Sequence, residues 1–367
     1  MAHPLGPQPT KHSNLMPSEA LKVGLSGCGA ATTLYHAPAL QILESEGTVH
    51  LSALFDPDPA ALAEIRRMFP IAKAVSNYDE LLSEAPDLVI IASPPARHFD
   101  QAAAALRAGT AVFCEKPLAT RLADAEALVQ SARQTGRTLA VGMVRRYFPA
   151  TRVLRDLIRS GVIGEVRQFR CFEGGPFHWP VRSPSYFSRD ASGGGVLMDI
   201  GVHALDLLDW WFGSCTSISY ADDAMGGVEA ECRLTLGYGQ VTGEVRLSRI
   251  WHGPNRYEID GTEGQLGWTV NKAEQIELRR ADSPYHLHAM IRDGAQPASN
   301  FHQAVVDQLR ALTAAVAGSP AEIVQAEETL PVLSLIERCY RERTLLPMGW
   351  LDPDEQRAAE RLAGASV

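Results

Sequence analysis

Between residues 21 and 142 short apolar runs alternate with stretches of helical period, and this alternation most narrows what the chain can fold into. Leu21–Ser26, Val49–Phe55, 87–93, Ala111–Cys114 and 138–142 read as strands, with helices expected over 32–44, from Pro59, over 98–108 and over 122–135. The run 87–93, Asp-Leu-Val-Ile-Ile-Ala-Ser, is apolar almost throughout, as a strand covered on both faces by helices must be. Such alternation predicts a doubly wound parallel sheet. From Glu165 onward the period changes to two. The runs 228–236, 240–248 and 256–260 alternate apolar with polar residues, the pattern of strands buried on one face of an antiparallel sheet.

The fold class is therefore α/β: a Rossmann domain with a doubly wound parallel sheet, followed by a C-terminal α+β domain with a large open, mostly antiparallel sheet. Residues 21–145 are assigned to the first domain and 146–350 to the second, with a C-terminal strand or helix returning to the first domain. Residues 1–20 read as a disordered segment and 351–367 as a tail forming a frayed helix. A helix near 150–160 and the Gly/Pro-rich stretch 174–195 lie between the halves, and the active cleft is expected there.

The first strand runs into Gly27-Cys28-Gly29-Ala30-Ala31-Thr32, the position of a dinucleotide-binding turn. Gly27 permits the tight turn, Gly29 admits a pyrophosphate to the backbone, and unpaired N–H groups at the following helix N-terminus meet its charge. Thr32 stands where a third glycine is usual, so the motif alone is weak. The second strand ends at Asp56, where a ribose-binding carboxylate belongs, and no arginine follows it to receive a 2′-phosphate. The plain alternative for Asp56 or Asp58 is a cap on the helix that starts near Pro59. Ser93-Pro94-Pro95, with His98 beyond, makes a rigid loop after the apolar strand.

Two further segments carry chemistry. Glu115-Lys116-Pro117 directly follows Ala111–Cys114, so Lys116 would sit beside a cofactor bound at the strand ends, although most lysines are solvated surface charges. Gly193-Gly-Gly195 precedes Asp199 and His203, and three glycines let backbone approach a ligand closely. A helix puts Asp199 and His203 one turn apart, so the carboxylate can orient an imidazole, the natural base near neutral pH. Taken alone, the segment reads equally as a helix-starting Asp and a core His.

With these residues in place the chain resembles the glucose-fructose oxidoreductase, inositol dehydrogenase and rhizopine-catabolism family (Gfo/Idh/MocA). The resemblance rests on Gly27-Cys-Gly29 with His36 and Pro38, Ser93-Pro94-Pro95 with His98, Glu115-Lys116-Pro117, Arg146-Tyr-Phe-Pro149, and Gly193-Gly-Gly195 followed by Asp199 and His203. It implies an NAD cofactor, NADP being the less expected, a sugar, inositol or polyol substrate, and a homodimer or homotetramer. It assigns catalysis to Lys116, Asp199 and His203. Cofactor contacts are expected from Gly27, Cys28, Gly29, Ala30, Ala31, Thr32, Asp56, Ser93, Pro94, Pro95, His98, Glu115 and Lys116. Thr32 and the pair Tyr147-Phe148 depart from the family's usual pattern.

Alcohol oxidation itself asks for these residue types. Hydride leaves carbon for nicotinamide while a base takes the hydroxyl proton, a role suited to His203, and an ammonium such as Lys116 polarises the reacting oxygen. Asp199 positions the imidazole. Substrate contacts are expected from Lys116, Arg146, Tyr147, Trp179, Tyr186, Asp199 and His203, with Phe177, His178, Arg182 and His302 as further candidates, because sugars need hydrogen-bond partners and aromatic platforms. Trp210 and Trp211 read as core. Two alternatives accompany the dehydrogenase reading: an NAD-dependent glycosidase using transient oxidation, and a non-catalytic ligand sensor.

Bulk properties set limits. A net charge of −9 argues against nonspecific nucleic-acid binding. No apolar run approaches the about 18 residues of a membrane span, and residues 1–20 lack the apolar core of a secretory signal. The six cysteines show no paired metal spacing, so no metal is expected and reduced thiols in the cytoplasm fit best. On the second sheet Glu229, Glu231, Arg233, Glu244, Arg246, Arg256 and Glu258 are expected on the polar face, either solvated or in an ion-paired subunit interface.

Overall fold

Parallel strands buried on both faces need helices to cross over them, and the first half of the chain meets that need element by element. The computed structural model describes residues 20–292 and 300–364, so the expectation for residues 1–19 lies outside the described residues. Strands β1 (Leu21–Ser26), β2 (Val49–Phe55), β3 (Lys73–Ala74), β4 (Leu88–Ile91), β5 (Ala111–Cys114) and β6 (Leu139–Val141) form one parallel sheet in the order β3-β2-β1-β4-β5-β6. Helices α1 (Ala37–Ser45), α2 (Pro59–Met68), α3 (Tyr78–Ser83), α4 (His98–Arg107) and α5 (Leu122–Thr135) make the crossovers. The order reverses between β1 and β4, which opens a crevice beyond the carboxyl ends of those strands. Sequence periodicity misses β3, because a two-residue edge strand has no period to read.

The second half builds a nine-stranded sheet. Helix α6 (Pro149–Ser160) leads to β7 (Val166–Gly174), a short α7 (Arg189–Ser192) and α8 (Val202–Phe212). Then come β8 (Ser217–Asp222), β9 (Glu231–Tyr238), β10 (Val241–Ser248), β11 (Arg256–Gly261), β12 (Gly264–Thr269), β13 (Gln275–Arg280) and β14 (His286–Met290). With β15 (Thr344–Leu345) the order is β14-β13-β12-β11-β7-β10-β9-β8-β15, antiparallel except where β7 meets β10 and β8 meets β15. One face is covered by α6 and α8 over Phe169, Tyr257 and Trp268, all fully buried. The other carries ion pairs within the sheet: Arg246 with Glu231, Arg170 with Glu258, and Arg256 with Glu277. Glu229 does not join them. It is buried and accepts hydrogen bonds from the amides of Gly195 (2.9 Å) and Leu197 (3.0 Å) and from the Tyr340 hydroxyl (2.8 Å), so its carboxylate closes the turn ahead of α8.

From residue 300 the chain packs back on the first half, and β15 then rejoins the second sheet. Helix α9 (Phe301–Val316) lies on α1, and the Val141 amide donates to the Val324 carbonyl at 3.0 Å, so one residue pair extends the sheet beyond β6. Helix α10 (Leu330–Arg341) sits between α5 and α8, and α11 (Pro353–Gly364) follows β15. No helix among the described residues is long and apolar enough to cross a membrane. All six cysteines are unpaired.

Two expected substrate residues are instead parts of this framework. Arg146, on a single 3₁₀ turn at Val144–Tyr147, is buried, and its guanidinium bonds both Asp206 oxygens (2.9 and 2.7 Å) and Glu328 (2.7 Å). Tyr147 is buried as well, with its hydroxyl donating to the Glu322 carbonyl at 3.1 Å. Both side chains point away from the crevice because the turn that brings Arg145 to the cavity carries its neighbours to the other side. Removing one partner of a buried ion pair typically costs about 3–5 kcal/mol, because the other charge is stranded. Arg146→Met is therefore expected to lower stability by that amount in urea unfolding while leaving NADH affinity unchanged. A variant of normal stability that loses only substrate affinity would contradict this assignment.

Candidate active site

The crevice beyond β1 and β4 is a cavity of 1140 Å³ walled by both halves of the chain. Its floor is the glycine turn. Gly27 has φ +96°, and a Cβ there would lie 2.5 Å from the Ala92 carbonyl, so no other residue fits. At Gly29 a Cβ would meet no protein atom within 4 Å, so the space it leaves faces the cavity, as a pyrophosphate cradle requires. Thr32, in the missing-glycine position, is buried and donates its hydroxyl to the Gly27 carbonyl at 2.6 Å. It braces the turn and does not line the cavity. Nor does Cys28, whose thiol burial pushes up to about 12, with the Asp56 charge adding to the effect. What Cys28 supplies is its amide, which donates to Asp56 Oδ2 at 2.6 Å.

Asp56 and Asp58 both line the cavity. Asp58 caps α2 by accepting from the Ala60 amide (2.9 Å), and Asp56 stays in the cavity wall with the Asp58 amide on Oδ1 (2.7 Å). Ala30, Ala31, Ser93, Pro94, Pro95, His98 and Glu115 share that wall. The His98 ring spans the Ser93 carbonyl (2.8 Å) and the Pro117 carbonyl (2.7 Å), joining the loops after β4 and β5. Burial works to raise the Glu115 carboxyl, but the hydrogen bond with His36 (2.8 Å) and the nearby charges outweigh it and hold the group below its ordinary value.

The reactive end of the cavity gathers residues from distant segments. Lys116 Nζ donates to Asp199 Oδ1 and to the Asp199 carbonyl, each at 2.8 Å. The Tyr186 hydroxyl donates to Asp199 Oδ2, Arg249 Nη2 donates to the Tyr186 hydroxyl at 2.8 Å, and the Arg249 guanidinium lies against the same carboxylate. Asp199 is thus engaged by three donors and does not hold the His203 ring, contrary to the expectation from their spacing. Cationic and phenolic donors outcompete a neutral imidazole for one carboxylate. His203 Nδ1 is buried without a partner, and burial, reinforced by Lys116 and Arg145, pushes the imidazole well below its ordinary value. Lys116 is moved down to about 8 by burial and the charges of Arg249 and Arg145, against an opposing pull from Glu115.

Of the remaining expected residues, Trp179, Arg182 and Tyr186 line the cavity. Trp179 also stacks on Tyr35 at 6.0 Å, and Arg182 reaches Glu64 on α2 at 2.8 Å, so the 175–188 segment straps across to the first half. Phe177 packs behind Tyr186, His178 is exposed on the Pro176 carbonyl, and His302 lies against Tyr35; none lines the cavity. Gly194 and Gly195 line the cavity and are constrained from behind as well. A Cβ at Gly194 would strike the Tyr340 hydroxyl (1.9 Å) and one at Gly195 the Glu229 carbonyl (2.0 Å), so the constraint is packing from behind. Sequence reading missed Arg145 and Arg249. The first adjoins the motif residue Arg146, and the second follows the end of β10, where a strand delivers its last side chains to the cavity.

Residues 21–143 match the oxidoreductase family with an NAD-binding Rossmann fold, and residues 151–267 match the GFO/IDH/MocA C-terminal domain. A dTDP-3,4-didehydro-2,6-dideoxy-alpha-D-glucose 3-reductase from Streptomyces violaceoruber is 34% identical over 280 residues, covering 74% of this chain and 76% of that protein. An uncharacterized oxidoreductase from Synechocystis is 29% identical over 55% of this chain, and there the match spans 54% of the relative's length. The fold is shared with levoglucosan dehydrogenase, solved in complex with NADH and levoglucosan, at a TM-score of 0.77 and 20% identity over 88% of this chain and 98% of that one.

The cations around Lys116 make its ionisation testable by itself. Arg249 disfavours the ammonium, so Arg249→Gln should raise the midpoint of Lys116 titration above the wild-type value near 8. Acetylation rates of Lys116 across pH, read by peptide mass spectrometry, give that midpoint directly. No upward movement would remove Arg249 as a determinant of the Lys116 charge.

Proposed function

The chain belongs to the Gfo/Idh/MocA oxidoreductase family and carries its NAD-binding Rossmann domain; from that premise we propose that it moves hydride between a nicotinamide cofactor and a secondary hydroxyl or keto carbon of a sugar, inositol or related polyol. The observation that carries the reading is the meeting of Lys116, Asp199 and His203 in the cavity floored by the glycine turn. The bound nicotinamide supplies the hydride acceptor or donor. Glycine at 29, the helix N-terminus behind it and Asp56 suit the cofactor's pyrophosphate and ribose.

The protein's part is to hold the reacting oxygen and exchange its proton. In alcohol oxidation the C–H electron pair leaves as hydride, the O–H proton passes to a base, and the C–O bond becomes a carbonyl. His203 is a poor proton acceptor here, because its imidazolium would form beside Lys116 and Arg145. Lys116 Nζ, with a pKa near 8, gives up or takes a proton at small cost, and Asp199 stabilises the ammonium that forms. We therefore assign proton exchange to Lys116 and a hydrogen bond to the substrate hydroxyl to neutral His203. Tyr186 and Arg249 fix the Asp199 carboxylate.

Positioned acid–base catalysis is worth about 10²–10⁴-fold. Lys116→Ala should lose that factor in single-turnover NADH formation from a responsive sugar or polyol, and it should also lose the pH dependence near 8. Because the amine acts as base in oxidation, the wild-type rate should rise as pH passes through about 8. His203→Asn should lower the rate while keeping that profile. NADH affinity should change much less in either variant. Near-normal turnover in a folded Lys116→Ala protein would sink the assignment.

Asp56 favours NAD, since its carboxylate accepts a ribose hydroxyl and repels a 2′-phosphate. Arg182, which lines the same cavity, is already paired with Glu64. NAD(H) is therefore expected to bind more tightly than NADP(H) in fluorescence titrations, with Asp56→Ser narrowing the gap. Equal or tighter NADP(H) binding by the wild type would overturn this preference.

A further inference from the structure

Among the described residues the edge of the large sheet is built from β13 and β14, and no residue of either strand lines the cavity. In β14, His286-Leu-His-Ala-Met290, alternation puts His286 and His288 on one face, and in the antiparallel ladder Glu277 of β13 stands directly opposite His288. His286 Nε2 lies 3.1 Å from Glu277 Oε2 and His288 Nδ1 lies 3.9 Å from Oε1, so both rings turn a nitrogen toward one carboxylate. The ring centroids are 4.4 Å apart, and one ligand atom from each residue falls within 4.8 Å of the others. None of the three lines the cofactor cavity.

We propose that Glu277, His286 and His288 form a binding site for zinc(II), with solvent completing the shell. Two imidazoles and a carboxylate are a ligand set that zinc accepts. A tetrahedral shell with bonds of about 2.0–2.2 Å sets ligand atoms about 3.4 Å apart, a contraction that exposed side chains make by rotation. The cost of the site is also visible. Arg256 donates to both Glu277 oxygens, at 2.6 and 2.8 Å, and Arg279 Nη2 lies 3.4 Å from His286 Nδ1. An ionised carboxylate has roughly four lone-pair sites, so two remain, and Arg256 acts as the outer partner that orients the ligand. Its own charge is shared with Glu258 through Nε at 3.2 Å. Arg279 has no such use. It must leave Nδ1 when Nε2 takes the metal, so it weakens binding. The consequence for the fold is a cross-link: β14 is exposed along its length and, among the described residues, paired on one side only, and a bound ion ties it to β13.

The test uses the full-length, untagged chain stripped with EDTA and titrated with zinc chloride by calorimetry. One ion per chain is expected, together with a rise in melting temperature that EDTA reverses. His286→Ala and His288→Ala should each weaken binding on the order of tenfold or more, as loss of metal-site partners does, and Arg279→Gln should strengthen it. Cobalt(II) in place of zinc should give a tetrahedral spectrum without a thiolate band, which separates this site from the cysteines. NADH binding should be normal in every variant, showing that the fold is intact. Unchanged zinc affinity in the His286→Ala/His288→Ala double variant, a thiolate band with cobalt, or no binding by the wild type at 100 µM zinc would each overturn the proposal.

Discussion

Lys116 and Asp199 are where the two halves of the chain depend on each other. The lysine leaves the carboxyl end of β5, the aspartate stands at the start of the helical run that covers the second sheet, and Nζ bonds both the carboxylate and the main-chain carbonyl. An ammonium held partly out of water is stabilised by those acceptors. This contact therefore sets how α8 is placed over the crevice. Behind it, Glu229 ties down the amides of Gly195 and Leu197, and Tyr340 fills the space that Gly194 leaves.

The electrostatics of the cavity follow from that placement. Lys116, Arg145 and Arg249 are crowded at one end, yet each has an acid: Asp199 for Lys116 and Arg249, Glu173 for Arg145 at 2.5 Å. Burial first, and the neighbouring cations after it, bring the lysine toward neutrality and disfavour a charged imidazole. Three cationic side chains thus converge on one end of the cavity, among them a lysine whose pKa is moved down to about 8. Thus the same burial that makes the pair costly to break also tunes its chemistry.

Neighbouring residues show how far sequence reading reaches. Lys116 is legible because it directly follows an apolar strand, and strand ends in this architecture point into the crevice. Arg146 is misleading for an equally physical reason. On a 3₁₀ turn adjacent side chains diverge by about a third of a revolution, so Arg145 reaches the cavity and Arg146 is buried against Asp206 and Glu328. Glu229 shares the alternating pattern of its strand but lies beyond it, where the chain turns inward to meet α8. The distinction between Asp56 and Asp58, both plausible caps, is made by which amides fall within reach.

Periodicity and turn chemistry in the sequence alone determined the doubly wound first sheet, the one-sided second sheet, the glycine turn and the strand ends that present Asp56, Lys116 and the 193–203 segment. These are local properties: the spacing of apolar residues and the φ demands of single positions act within a few residues. Tertiary structure alone decided the partners. The engagement of Asp199 by Lys116, Tyr186 and Arg249 in place of His203, the burial of Arg146, the delivery of Arg249 from β10 and the return of residues 301–341 to the first sheet all join segments tens to hundreds of residues apart. Charge balance and desolvation between such segments depend on distance in space, which residue spacing along the chain does not encode.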